Sequence, residues 1–360
     1  MPRIGIGVIG CGDISRARYF PAIAALPEFE LKGMQSRTRS ACEPLAAQYG
    51  GKIFADLAAL LRAPEIEAVV VATPHPSHAD IAVQCLLAGK HVLCEKPIAT
   101  SLADANRMLQ AAEHSHKVFM ALPFDASPPV VEAKRLLASG AIGRVSSADS
   151  VLAHRGPKHA PWFFDRVKAE WGAAADLGIY LASQLTYLFG PAASVRGRVN
   201  TVFPERVALS GETIKATVDD NVAAVLEWPN KSLATIRVNW CSPSDHRNVI
   251  NETRIYGTEG LIYISPSSKV NPIVVYSPDK PIEGATPIEF NGAVDWYKPS
   301  LPKFDGDRVI MQAFATQIAG GPAPDGASSS RQRHVIEIID KLYASSTSGA
   351  TAKLETDMAA

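Results

Sequence analysis

A glycine turn is the first feature of the chain with chemistry in it. Gly10-Cys11-Gly12-Asp13-Ile14-Ser15 follows an apolar run at residues 3–9 and opens a stretch of helix formers at 15–26. It reads G-x-G-x-x-G/A with Ser in the last place. The first glycine permits a tight turn, the second lets backbone approach a pyrophosphate, and the last position must be small for helix–strand packing. The helix N-terminus offers unpaired N–H groups and a positive dipole end to phosphates. In this strand–turn–helix setting the motif points to dinucleotide binding, with Gly10, Gly12, Asp13 and Ile14 as the contacts. An acid ending the second strand would take the ribose hydroxyls of NAD. That strand instead ends Gln35-Ser36-Arg37-Thr38-Arg39. The Ser36 hydroxyl and the Arg37 guanidinium suit a 2′-phosphate, so NADP is favoured over NAD. The alternative is Arg37 stacked on adenine with NAD bound.

A second cluster is polar and aromatic. His154, Arg155, Lys158 and His159 run into Trp162-Phe163-Phe164-Asp165. Hydrogen-bonding side chains beside aromatic faces suit a sugar, with a solvated loop as the plainer reading. His154, His159 and Trp162 are the candidates. His75 and His78 are three apart, but no carboxylate or Cys cluster accompanies them, so no metal is expected. Ser101 and Asp104 fit a helix-capping pattern and need no catalytic reading.

These residues need a scaffold, and the apolar periodicity supplies one. Short apolar runs alternate with helical stretches over the first ~120 residues, Ala68 to Ala72 being the clearest buried strand. That alternation implies a parallel sheet covered on both faces. After about residue 143 the runs lengthen and alternate, as in an antiparallel sheet with one solvated face. A helix at about 172–189 interrupts them. Residues 266–302 hold seven prolines and read as loops and short edge strands. The stretches 305–319 and 328–346 read as helices. The expected fold is an α/β Rossmann domain at 1–124, then an α+β domain at 125–360 with a large open, mostly antiparallel sheet. The C-terminal helices are free to pack back on the first domain. With roughly 150 residues per domain, 360 residues suit two.

Composition narrows the function. The 36 basic residues balance 36 acidic ones, so nucleic acid is not expected as a partner. No apolar stretch approaches the ~18 residues of a membrane span. The N-terminus lacks a signal-peptide layout, and five scattered cysteines suit reduced thiols, so a cytoplasmic location is expected.

Three further motifs carry a family resemblance. Ala72-Thr73-Pro74-His75-Pro76-Ser77-His78 follows the fourth strand, Cys94-Glu95-Lys96-Pro97 the fifth, and Asp176-Leu177-Gly178-Ile179-Tyr180 comes far downstream. The order resembles the Gfo/Idh/MocA oxidoreductases over essentially the whole chain. The resemblance implies NAD(P)-dependent chemistry on sugars, cyclitols or related polyols. Lys96 matches the family's active-site lysine. Asp176 and Tyr180 match the downstream D-x-G-x-H/Y pair, in the Tyr form of the glucose–fructose oxidoreductase and dihydrodiol dehydrogenase branches. Thr73, Pro74 and His78 border the nicotinamide half of the cofactor, Glu95 and Lys96 join it, and Trp162 lies where relatives carry a Trp near the cofactor. Two departures stand out. A G-Y-N-x-R-F-like segment is replaced by Ala121-Leu122-Pro123-Phe124-Asp125, and the usual G-G-G is reduced to Gly172-Ala173-Ala174.

Hydride transfer needs the reacting carbons within about 3–3.5 Å and a path for the substrate's proton. A free phenol, pKa ~10, is a weak base at neutral pH, and a nearby ammonium would favour its phenolate. Tyr180 with Lys96 is therefore expected to handle the proton. Asp176, four residues earlier, shares a helix face with Tyr180 and would orient the lysine or a substrate hydroxyl. Two other readings stand beside this: an enzyme that keeps and internally recycles its NAD(P) in glycoside oxidation or cleavage, and a non-catalytic dinucleotide-binding scaffold. An uncovered apolar sheet face would join copies into a homodimer or homotetramer.

Overall fold

The computed structural model describes residues 3–243, 249–324 and 326–358. The chain divides into two compact units. One takes the residues up to Phe124 together with Asp305–Ile336, and the other takes Asp125–Phe304 and the residues from Glu337.

The first unit is a parallel sheet of β1 (Ile4–Ile9), β2 (Phe29–Gln35), β3 (Lys52–Ile53), β4 (Ala68–Val71), β5 (His91–Cys94) and β6 (Phe119–Ala121). Its order is β3-β2-β1-β4-β5-β6, every pair parallel. A parallel sheet is covered on both faces, so its strands are apolar throughout. All four residues of β4 are buried accordingly. The order reverses at β1, which pairs with both β2 and β4. Loops leave that point in opposite directions and open a crevice at the C-terminal strand ends. The helix Leu102–Ser115 starts on Ser101, whose hydroxyl oxygen accepts from the Asp104 amide. It stops at His116, which takes the left-handed conformation. The helix Gly306–Ile318 adds Met311 and Phe314 to this unit's core, Phe314 stacking on Phe29 at 6.5 Å. Full burial of such side chains stabilises by roughly 1.5–3 kcal/mol each.

The second unit is built on ten strands. They are β7 (Val145–Ala153), β8 (Ser194–Asn200), β11 (Asn221–Glu227), β12 (Leu233–Asn239), β13 (Ile250–Gly257), β14 (Leu261–Ile264), β15 (Ile273–Tyr276), β16 (Ala285–Phe290), β17 (Ala293–Pro299) and β18 (Ala352–Lys353), with a separate small hairpin of β9 (Glu205–Val207) and β10 (Thr213–Lys215). The order is β16-β17-β15-β14-β13-β7-β12-β11-β8-β18. All pairs are antiparallel except β7 with β12, which run parallel. The proline-rich stretch expected to hold loops and short edge strands contributes three strands, β15 to β17, at one edge of the sheet. Pro287 is tolerated because β16 is the sheet's edge strand, where a missing N–H costs no ladder bond.

The outward face corrects the expectation of an apolar surface. Arg254, Asp149, Thr235, Val225 and Arg196 stand side by side across five strands. A depression of about 770 Å³ there is lined by Arg196, Arg198, Arg237 and Arg254 among others. Charged outward positions are interspersed with the exposed Val225, Leu233 and Ile250. Alternation therefore produces a mixed face. Among the described residues, no helix is long and apolar enough to cross a membrane.

Candidate active site

In the first unit, every expected cofactor residue lies at the C-terminal end of β1, β2, β4 or β5. Gly10 has φ +96°, and a Cβ there would lie 2.4 Å from the carbonyl oxygen of Ala72. Only glycine closes this turn. The Gly10 amide donates to Gln35 O (2.8 Å), and the buried Ser15 hydroxyl donates to Gly10 O (2.5 Å). At Gly12 a Cβ would meet nothing within 4 Å. Gly12, Asp13 and Ile14 are exposed. The turn is thus sealed at its first glycine and open at its second, which fits a pyrophosphate approached by backbone. The helix beyond begins with a π-turn, Ser15–Tyr19, a wide turn that recurs at functional sites. Arg16 ties it down, donating to Cys11 O (3.2 Å) and Ala41 O (3.0 Å). Burial pushes the Cys11 thiol up to about 12, so it stays protonated. Beyond β2, Ser36 is half-buried and Arg37 exposed, while Arg39 leans on Glu43 at 3.7 Å.

His78 and Glu95, expected on the cofactor side, have polar atoms engaged by protein. His78 is fully buried, with Nδ1 2.8 Å from Pro97 O and Nε2 2.6 Å from Thr73 O. Burial lowers the pKa of the imidazole, against the pull of those two carbonyls. It clamps the loop after β4 to the loop after β5. Glu95 Oε1 accepts from the Tyr19 hydroxyl (2.6 Å) and Arg18 Nη1 (3.1 Å), and Oε2 accepts from the Lys96 amide (2.9 Å). Arg18 also donates to Asp307 at 2.6 Å. Burial and the Glu95 charge push the Tyr19 phenol up, so it remains a donor. Both residues therefore hold the loops that follow β4 and β5. Lys96 is half-buried at the end of β5, and the Lys96–Pro97 peptide is cis. Thr73 Oγ1 accepts from Ser77 (2.8 Å), and Pro74 is exposed beside it.

In the second unit the Asp176–Tyr180 segment belongs to a helix buried on all sides. Every residue from Trp171 to Tyr187 is buried except Tyr180, which is 37% exposed. An all-round apolar helix belongs inside a protein, so a single open side chain is a conspicuous exception. Asp176 is 8% exposed and lies inside a second π-turn, Ala174–Gly178. It is not an N-cap. The turn is wider than α-helical, and Tyr180 follows it in the first turn of the α-helix Ile179–Phe189. Asp176 Oδ2 accepts from the indole N–H of Trp240 at 3.2 Å.

The entry to this helix is held from a distance. Asp219 accepts from the Gly172 amide (Oδ1, 3.0 Å), the Ala174 amide (Oδ2, 2.8 Å) and the Tyr343 hydroxyl. Burial pushes its carboxyl pKa up, and these donors pull it back. A Cβ at Gly172 would lie 2.0 Å from Asp219 O, so this glycine is required. Ala173, Ala174 and Ala175 are fully buried, and their methyls fill the space that further glycines would leave.

The expected sugar-side residues are also in this unit. His154 Nδ1 accepts from the Gly156 amide (2.9 Å), so the neutral ring carries its proton on Nε2. Trp162 stacks on Phe163 at 4.0 Å, Phe163 meets Trp240 edge-on at 6.4 Å, and Phe164 meets it at 5.5 Å. Asp176, Trp240, Phe163 and Trp162 thus form one contiguous array. His159 is exposed on the neighbouring turn and is not joined to it by any of these contacts. Sequence reading missed Trp240, Asp219, Asp220 and Arg206. Two consecutive acids at the mouth of an alternating strand were the signal, since such a position disfavours acids.

A parallel sheet with a glycine turn at its reversal point, joined to a unit with a large mixed sheet, defines a two-domain NAD-binding type of oxidoreductase. Residues 4–122 match the oxidoreductase family with an NAD-binding Rossmann fold, and residues 130–263 match the GFO/IDH/MocA C-terminal domain. The chain belongs to the Gfo/Idh/MocA oxidoreductase family. It is 27% identical to levoglucosan dehydrogenase of Pseudarthrobacter phenanthrenivorans, over 89% of this chain and 90% of that one. It is 30% identical to dTDP-3,4-didehydro-2,6-dideoxy-alpha-D-glucose 3-reductase of Streptomyces violaceoruber, over 71% and 79%. A solved structure of levoglucosan dehydrogenase in complex with NADH shares the fold, with TM-score 0.83, 23% identity, and 99% and 100% of the two chains covered.

Proposed function

We propose that this protein is an NAD(P)-dependent dehydrogenase or reductase that moves a hydride between nicotinamide and a CH–OH carbon of a sugar, glycoside or cyclitol. The observation that carries the reading is Tyr180, the one exposed side chain on an otherwise buried helix. The likeness to a levoglucosan dehydrogenase and to a dTDP-sugar reductase supports a carbohydrate substrate.

Gly10, Gly12, Asp13 and Ile14 would hold the pyrophosphate. Ser36 and Arg37 would take a 2′-phosphate, so NADP is preferred to NAD. Thr73, Pro74 and Trp162 would border the nicotinamide half, whose ring carbon exchanges the hydride when bound. The Tyr180 phenol holds or takes the proton at the substrate oxygen. The Lys96 ammonium favours the phenolate or polarises that oxygen directly. Asp176 orients a substrate hydroxyl, and His154 and His159 bind others.

The test is absorbance at the nicotinamide band with NADP and with NAD across pyranoses, glycosides and cyclitols. Turnover on at least one, with the higher kcat/KM for NADP, is expected. No absorbance change with any of them would overturn the reading. We also propose a homodimer or homotetramer joined through the outward sheet face, where the exposed Val225, Leu233 and Ile250 lie among charged positions, and a stable monomer on sedimentation at micromolar concentration would contradict that.

A further inference from the structure

We infer that Trp240, held by Arg206 and Asp220, is a positioning residue for Asp176. In this arrangement the dipeptide Asp219-Asp220 governs both the backbone and a key side chain of the Tyr180 helix. The inference rests on the proposed oxidoreductase reading for its kinetic consequence alone.

A carboxylate on a helix can rotate about two bonds. Here one of its oxygens is met by an indole that cannot swing. Trp240 is fully buried, with the edges of Phe163 and Phe164 against it. A Cβ at Gly156 would lie 3.2 Å from Trp240 Cβ and 3.4 Å from Phe164 Cζ, so the backbone there packs close against both rings. A phenylalanine would pack in such a place. A tryptophan adds a donor that must be paired when buried, and a charged acceptor makes the stronger bond.

The backbone of Trp240 is fixed at both polar atoms. Its amide donates to Asp220 O (2.8 Å), and its carbonyl accepts from Arg206 Nη1 (2.8 Å). The same guanidinium pairs with Asp220 Oδ2 at 2.5 Å, both partners buried. It lies over the rings of Phe164 (5.6 Å) and Phe203 (5.2 Å). Asp220 also accepts from the amides of Val202 (2.7 Å) and Phe203 (2.9 Å). Asp220 therefore holds Trp240 twice, once by its own carbonyl and once through Arg206. Its neighbour Asp219 holds the amides of Gly172 and Ala174. One peptide unit thus ties the helix entry to the donor that aims Asp176.

Two measurements on the full chain test this. In proton–nitrogen correlation spectra, Asp176→Asn is expected to move the Trp240 indole resonance, identified by its loss in Trp240→Phe, while the other indoles hold. Kinetically, Trp240→Phe should lower kcat roughly 10- to 100-fold with dinucleotide affinity unchanged. That loss should vanish in an Asp176→Asn background, because the effect passes through one side chain. An indole resonance indifferent to Asp176, or kcat losses that multiply in the double variant, would overturn the relay. Absence of turnover on every polyol would sink the oxidoreductase reading, while the resonance still decides the contact.

Discussion

Both candidate half-sites enter a helix through a π-turn, Ser15–Tyr19 in the first unit and Ala174–Gly178 in the second, yet they are built in opposite ways. The first is local. Six consecutive residues set a sealed glycine, an open glycine and a small plug, and what they present is backbone. The second is assembled from afar. Its entry is held by Asp219, and its Asp176 by Trp240, 64 residues away in the chain. What it presents is one phenol and one aimed carboxylate. A pyrophosphate is the same in every dinucleotide, so a short motif suffices to bind it. A side chain that must meet a particular substrate needs the whole unit to point it.

That contrast can be broken by substitution, beginning where the effect is largest. Arg206→Ala leaves the buried Asp220 without its counter-ion, so unfolding stability should fall by about 3 kcal/mol, read from urea midpoints. An unchanged midpoint would mean the second half-site is not held as described. Next come the paired glycines of the local half-site. Gly10→Ala should weaken dinucleotide affinity by at least ~100-fold, about 2.7 kcal/mol, because its Cβ strikes Ala72 O. Gly12→Ala should leave the unfolding midpoint in place and weaken dinucleotide binding alone. Titration by fluorescence would show both. Smaller still, Arg37→Ala should reduce the preference for NADP over NAD by about tenfold, or ~1.4 kcal/mol, in kcat/KM ratios.

The smallest effect concerns pH. The folded His78 imidazole lies below its ordinary value of 6.5 because burial disfavours its charge. The unfolded chain therefore binds the extra proton first. The contribution of His78 is complete above about 6.5 and is lost as pH falls toward the folded value. Stability curves for the wild type and His78→Gln should converge across that window, and parallel curves would refute the sign.

Legibility followed the same division. The glycine turn, Ser36-Arg37, Lys96 and the Asp176–Tyr180 motif could be read because each is contiguous. So could the parallel sheet, since β4 is buried at every residue. Arg206 and Trp240 could not be read, because the partners that give them meaning lie far along the chain. The helix Pro128–Ala138 escaped notice because it opens on Pro128-Pro129. Prolines usually end a helix but are tolerated in its first turn, where N–H groups lack partners anyway. The prolines of 266–302 pointed to short edge strands but blurred the bounds of β15 to β17. The π-turns had no signal at all, since an inserted residue changes a helix's pitch without changing its composition. The reach of Asp176 toward Trp240 became visible only with that pitch.

The central claim is that Tyr180 and Lys96 move the proton that accompanies hydride transfer. The most direct measurement is single-turnover nicotinamide absorbance for the Lys96→Ala/Tyr180→Phe double variant, loaded with NADP and mixed with a polyol the wild type turns over. The account predicts bound cofactor, an intact fold and a rate roughly 10²- to 10⁴-fold lower. A double variant that binds cofactor and turns over at the wild-type rate would contradict it.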